Sequence, residues 1–126
     1  TSQADCGPCR TMADTAEEFL AGMRADGIPV RMVTLMGNGL SDPFGTPPQQ
    51  TVDEWVESYD VTDPVLFDRG YACALFPDFI DGFSGESFGF PAWLVVDPEL
   101  KVIYGNVGFS DWGPVEELIR EDLAGG

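Results

Sequence analysis

From Met12 to Met23 the apolar residues Met12, Ala13, Ala16, Phe19, Leu20 and Met23 recur at spacings of three and four, with mostly polar residues between them. That period predicts an amphipathic helix over residues 9–26, stopped at Gly27. The pattern then changes. Ile28 to Met36 (IPVRMVTLM) is almost continuously apolar with β-branched members, which predicts a buried parallel strand. Residues 37–50 (GNGLSDPFGTPPQQ) are dense in glycine and proline and predict a loop. A short helix is expected from Thr51 through Tyr59, because Glu54 stands three residues after Thr51 in capping-box spacing and Val52, Trp55, Val56 and Tyr59 make one apolar face. Trp55 and Tyr59 read as core.

Pro64 to Asp68 (PVLFD) predicts a short apolar strand, and residues 69–82, with Tyr71, Cys73, Leu75, Phe76, Phe79 and Ile80, a short helix broken at Pro77. A glycine-rich aromatic loop follows as far as Gly89. Phe90-Pro91 then leads into a strand at Ala92–Val96, closed by the turn Asp97–Leu100, and Lys101–Val107 returns as its antiparallel partner. The last helix is expected to start at Ser110 or Asp111, with Pro114 in its first turn and Val115, Leu118, Ile119 and Leu123 on its inner face. There is no internal repeat and no linker composition, so residues 1–126 read as one α/β domain.

Composition narrows the function classes. The formal charge is −16, from 22 acidic residues against six basic ones, of which Lys101 is the sole lysine. A surface of that sign repels nucleic acid and anionic membrane, which sets phosphate-backbone binding aside. The acidity itself reads as solubility or adaptation to salt rather than as a docking patch. No apolar run reaches the length of a membrane span, and no leader segment is visible in the sequence. Three cysteines in a chain of this size do not make a disulfide scaffold.

Two of those cysteines carry the chemistry. Cys6-Gly7-Pro8-Cys9 opens the first predicted helix, with Asp5 before it and Arg10 after it. A helix N-terminus favours thiolate over thiol, so Cys6, at or next to the N-cap, is the expected attacking thiol and Cys9, one turn further in, the resolving one. Zinc is the competing use of such a pair. A closed zinc site takes four ligands, and the chain has no histidine and one further cysteine, Cys73, so no metal or other cofactor is expected. A purely structural disulfide is a second alternative, but so short a loop removes little unfolded-state entropy. Cys73 reads as an inert buried thiol, since Arg69 is the one cation near it in sequence.

The order of elements, together with CGPCR at 6–10, PVLFD at 64–68 and FPAWLVVDPELKVIYGNVG at 90–108, resembles the thioredoxin-like superfamily. The layout is similar to its redoxin branch, which includes the TlpA-like thiol:disulfide oxidoreductases. The resemblance implies a central mixed sheet flanked by helices, with an extra helix and strand inserted. It also implies a strand before the motif, and no apolar run in Thr1–Asp5 supplies one, so the strand is expected to be missing from this chain or completed by another segment. In the family the proline that opens the hairpin is cis and lies against the dithiol, which places Gly7, Pro8, Phe90 and Pro91 at the substrate-binding rim. Where Phe90 stands the family has a small residue, and where Asp5 stands it has tryptophan. Asp5 is expected to disfavour the Cys6 thiolate, with Arg10 and the helix dipole acting the other way.

The family's peroxidases carry a threonine three residues before their reactive cysteine; Gln3 and Gly70 hold that place before Cys6 and Cys73, which disfavours peroxide reduction. The activity implied is reduction of protein disulfides by a Cys6–Cys9 cycle, with a thiol electron donor as the second partner. By the same resemblance the location is periplasmic or otherwise extracytoplasmic, with an anchor upstream, although a cytoplasmic setting is left open. The competing reading is a binding module that presents the 37–50 loop and the aromatic residues Phe79, Phe83, Phe88, Phe90 and Trp93 around a non-cycling disulfide.

Overall fold

A computed structural model of the chain describes residues 1–43, 45–70, 75–79 and 89–125. The first helix, α1, runs from Gly7 to Ala25 and buries Cys9, Met12, Ala13, Ala16, Leu20 and Met23 along one stripe. Its end is fixed by local chemistry. Gly27 takes φ +81°, its N–H donates to the Arg24 carbonyl at 2.9 Å, and the Ile28 N–H donates to the Met23 carbonyl at 3.0 Å. This is the Schellman closure, which favours glycine because a β-carbon is strained at that φ.

Strand β1 is shorter than the apolar run predicts, covering Thr34–Met36 rather than residues 28–36. The reason lies in where the backbone groups of 28–33 go. The Ile28 N–H closes α1, the Val30 carbonyl accepts from Arg24 Nε at 3.2 Å, and the Met32 N–H donates to the Asp63 carboxylate at 2.9 Å. Pairing with a neighbouring strand begins only at Thr34, whose N–H donates to the Pro64 carbonyl at 3.1 Å.

Helix α2 spans Gln49–Ser58, two residues earlier than expected at its start, and the Thr51–Glu54 capping box is not formed. Pro48 occupies the N-cap with its carbonyl accepting from Thr51 N–H at 3.0 Å, while Gln49 and Gln50 bond Asp53 and Glu54 one turn on. Val52 and Trp55 are buried, and Tyr59 packs edge-on against Trp55. Strand β2, Val65–Phe67, lies parallel to β1 in the register Thr34↔Val65, Leu35↔Leu66 and Met36↔Phe67. Of the helix expected over 69–82, Phe76–Phe79 is a 3₁₀ turn with Pro77 inside it rather than at a break; Tyr71, Cys73 and Ile80 lie outside the described residues.

The hairpin is as expected, β3 at Ala92–Val96 pairing antiparallel with β4 at Val102–Val107. Its turn is held by Asp97, whose carboxylate accepts from the N–H groups of Glu99 and Lys101, each at 2.9 Å. The final helix, α3, runs from Gly113 to Gly125 and starts later than Ser110 or Asp111. Trp112 takes up the intervening chain. Its ring stacks on Phe19 with centroids 4.5 Å apart, meets Phe109 edge-on, and its indole N–H donates to Thr15 Oγ1 at 2.8 Å. Val115 is buried and Leu118 and Ile119 half-buried, but Leu123 is exposed rather than inward-facing.

Thr1 and Ser2 join the two strand pairs. Ser2 bridges Met36 in parallel, donating its N–H to the Leu35 carbonyl at 2.9 Å and accepting from Gly37 N–H at 3.1 Å. On the other edge Ala92 N–H donates to the Thr1 carbonyl at 3.1 Å, and the Thr1 nitrogen sits against the Ala92 carbonyl. The mixed sheet therefore has the order β2, β1, residues 1–2, β3, β4. The place of the strand expected to be missing is held by this two-residue piece. Around it Cys6, Cys9 and Ala13 of the α1 region, Met36, and Val52 and Trp55 of α2 form one buried cluster.

Asp63 is the electrostatic fastener of this arrangement, its side chain 4% exposed and bonded to Arg24 Nη2 at 3.1 Å, Arg31 Nη1 at 3.4 Å and the Met32 N–H. It ties the end of α1 and the 28–33 segment to the start of β2. Asp63→Asn keeps the shape and removes the charge, and is expected to cost about 2–3 kcal/mol in urea unfolding. A loss below about half a kcal/mol would show that the cluster is not a stabilising one.

Candidate active site

Cys6 is the N-cap of α1. Its backbone is extended at φ −96° and ψ 118°, its carbonyl accepts the Arg10 N–H at 3.1 Å, and its Sγ accepts the Cys9 N–H at 3.3 Å. Gly7 and Pro8 suit the first helical turn, because Pro8 lacks only an N–H that would have had no helical partner. The first turn holds no acidic side chain, so the positive end of the helix dipole is directed at the Cys6 sulfur alone. Cys6 and Cys9 are joined as a disulfide with their Cα atoms 5.2 Å apart. Cys6 is 4% exposed and Cys9 is fully buried, so the pair has an outer and an inner sulfur.

The Phe90–Pro91 peptide is cis, and the carbonyl oxygen of Phe90 lies 3.4 Å from Cys6 Sγ. The structure thus brings together Cys6, Cys9, Gly7, Pro8, Phe90 and Pro91, with Gly7 and Pro8 exposed, Phe90 half-buried and Pro91 buried. The main chain of Phe90 faces the outer sulfur, although 84 residues separate the two in sequence. Asp5 and Arg10 flank the pair but are each occupied by backbone. The Asp5 carboxylate accepts from the Leu40 N–H at 2.9 Å, and Arg10 Nε donates to the Ala4 carbonyl at 2.7 Å. Among the described residues no group of three His, Cys, Asp or Glu side chains is placed to hold a metal.

The start of the 37–50 loop is held by Gln3 and Asp5, the residues that lead into the dithiol. Besides the Asp5–Leu40 bond, Gln3 Oε1 accepts from the Gly39 N–H at 2.6 Å. Gln3 is fully buried, and its Nε2 is without a hydrogen-bond partner among the described residues. A β-carbon on Gly37 would run into the Gln3 amide, and Gly39 sits at φ +102°. Both glycines are thus required, one for close approach and one for its backbone. Sequence reasoning weighed Gln3 only as a missing threonine. The signal was the pair Gly37 and Gly39 after a strand, which marks a place where something packs tightly against main chain.

Of the aromatic residues named for a binding surface, Phe83 and Phe88 lie outside the described residues. Phe79 is exposed, whereas Trp93 is half-buried and donates its indole N–H to the Gly108 carbonyl at 2.8 Å.

No family model matches the sequence, and no curated protein is similar enough to count as a relative. Among solved structures the chain is similar to a crystal structure from Chlorobium tepidum provisionally named a thiol:disulfide interchange protein, DsbE, at TM-score 0.67 and 19% identity. The match covers 97% of this chain and 75% of that one. At that identity the likeness establishes the fold, which is thioredoxin-like with an inserted helix and strand, α2 and β2.

The packing of Gln3 against Gly37 gives a sharp test. Gly37→Ala is expected to cost about 1–3 kcal/mol of stability. In a Gln3→Ala background the same change should cost roughly 1 kcal/mol less, because the amide it strikes is gone. Strict additivity in that double-mutant cycle would show that the two residues do not press on one another.

Proposed function

We propose that the protein is a thiol-disulfide oxidoreductase that reduces disulfides in protein substrates through a Cys6–Cys9 cycle. The observation that carries this reading is the sulfur of Cys6 at the N-cap of α1, between the Cys9 amide and the carbonyl of Phe90. A thiolate there is stabilised by the helix end and an N–H donor, which is what a nucleophilic cysteine needs near neutral pH. In the reduced state Cys6 attacks one sulfur of a substrate disulfide, and the first substrate thiol leaves. Cys9 then attacks Cys6, closing the protein disulfide and releasing the second substrate thiol.

In this reading Gly7, Pro8, Phe90 and Pro91 form the rim on which a substrate chain lies, with the Phe90 backbone as its hydrogen-bonding edge. Phe90 gives that rim an apolar face, and Asp5 and Arg10 set the balance of charge beside the outer sulfur. The likeness to a protein named for thiol:disulfide interchange supports the activity and, with it, an extracytoplasmic setting and a thiol electron donor. No helix among the described residues is long and apolar enough to cross a membrane. The Gly-Pro dipeptide between the cysteines, similar to that of the reducing members of the family, favours reductase over oxidase.

Cys6→Ser is expected to abolish reduction of insulin disulfides, and Cys9→Ser to leave a trapped mixed disulfide on Cys6. Retained turnover in the Cys6 variant would remove the proposal. The direction is read from the reduction potential. A value near roughly −270 mV supports the reductase, and one near roughly −120 mV means disulfide donation instead. A pair that resists both reduction and reoxidation would make the bridge structural and the binding module the better account.

A further inference from the structure

The residue in front of the outer cysteine is a carboxylate that the structure fixes in place. Asp5 is exposed, yet its Oδ1 accepts the Leu40 N–H at 2.9 Å and its Oδ2 lies 3.3 Å from the same nitrogen. The loop that supplies this N–H is itself pinned. Gln3 Oε1 takes the neighbouring Gly39 N–H, and the Gly37 N–H donates to the Ser2 carbonyl at 3.1 Å. The Asp5 backbone is held as well, inside the turn that the Cys6 N–H closes on the Gln3 carbonyl at 3.1 Å. An anion fixed at both ends loses little further side-chain freedom when a cation meets it.

That anion has no internal counterion. The chain's six cations all lie among the described residues, and Arg24, Arg31 and Arg120 form ion pairs with Asp63, Asp26 and Glu116. Asp5 is in none of these pairs. Arg10, the nearest cation in sequence, turns its Nε to the Ala4 carbonyl at 2.7 Å. Gly7, Pro8, Phe90 and Pro91, the rest of the proposed rim, carry no charge. Cys6 follows Asp5 directly, so bond lengths alone keep the carboxylate within about 8 Å of the Cys6 Cα. That is no more than the screening length at physiological salt, about 8 Å.

We infer that Asp5 selects cationic substrates for the dithiol: disulfides set among lysine and arginine residues, or otherwise carrying ammonium groups near the sulfur. The inference rests on the proposed Cys6–Cys9 cycle and says which disulfides enter it. When Cys6 attacks, the substrate S–S bond breaks, a bond from Cys6 to one substrate sulfur forms, and the electron pair leaves on the other. Cys9 then closes the protein disulfide and releases the second substrate thiolate. The two protons lost by the protein thiols reach the two substrate thiolates by way of solvent, so a dithiol is oxidised as one disulfide is reduced. A cation beside the attacked sulfur is drawn toward the Asp5 carboxylate as it approaches Cys6, and an anion is repelled.

Selection by Asp5 is local and differs from a general effect of the net charge. Glu121 on α3 provides the contrast. It is exposed and follows Arg120, which is paired with Asp26 at the C-cap of α1, while Cys6 is the N-cap of the same 19-residue helix. That helix is about 28 Å long, several screening lengths at physiological salt. Glu121→Gln therefore changes the net charge as much as Asp5→Asn does and leaves the surroundings of Cys6 as they are.

The test sets the reduced protein against cystamine, which carries two ammonium groups, and dithiodipropionate, which carries two carboxylates. Their second-order rates are read by thiol trapping and intact mass, and the quantity of interest is the cationic-to-anionic ratio. A change in Cys6 nucleophilicity moves both rates alike and cancels in that ratio. Asp5→Asn, which keeps an oxygen for the Leu40 N–H, should lower the ratio roughly threefold or more at low salt, and Asp5→Lys roughly tenfold. Glu121→Gln should leave it at the parent's value, and molar salt should bring the parent's ratio toward that of Asp5→Asn. A ratio unmoved by Asp5→Asn, or moved as far by Glu121→Gln, overturns the inference. If the Asn variant does not fold, Asp5→Ser decides in its place. A parent whose Cys6–Cys9 pair is not oxidised even by the neutral hydroxyethyl disulfide removes the dithiol cycle itself, and this inference with it.

Discussion

The site depends on a short piece of backbone held on both edges. Thr1 and Ser2 bond Leu35 and Gly37 on one side and Ala92 on the other, so the chain enters Cys6 from the middle of the sheet. From there α1 must begin over the end of β1, and Met36, fully buried, lies in the same cluster as Cys9. The hairpin reaches the site by the same route. Ala92 is fixed against Thr1, which sets Phe90 and Pro91, two residues and one residue earlier, at the outer sulfur. These backbone bonds, together with the Thr1 hydroxyl within hydrogen-bond distance of the Leu35 carbonyl and the Asp68 carboxylate, set which carbonyl meets Cys6.

Given this placement, the two cysteines are inequivalent for physical reasons. The outer sulfur is at a helix end with an amide donor, where negative charge is favoured. The inner one is enclosed by Ala13, Met36, Val52 and Trp55, an apolar surround in which negative charge is disfavoured. The two sulfurs therefore differ in access and in the charge their surroundings favour, and the bridge between them closes so short a loop that its contribution to chain entropy is small.

Much of this was legible in the sequence because the signals were local. CGPC before an amphipathic stripe gave Cys6 as the cap, Gly27 gave the helix stop, and the AWLVV and KVIYGNV runs around Asp97-Pro98 gave the hairpin nearly residue for residue. What failed were inferences that took apolar runs or single-residue caps as sufficient. Ile28 to Val33 is apolar enough for a strand, but Asp63 takes the Met32 amide and α1 takes the Ile28 amide, and a ladder cannot use them twice. Thr51 and Glu54 had the spacing of a capping box, yet Pro48 offered a fixed extended backbone two residues earlier, and the helix began there. Gln3 was invisible because a buried amide has no periodicity; only its effect on Gly37 and Gly39 is written in the chain.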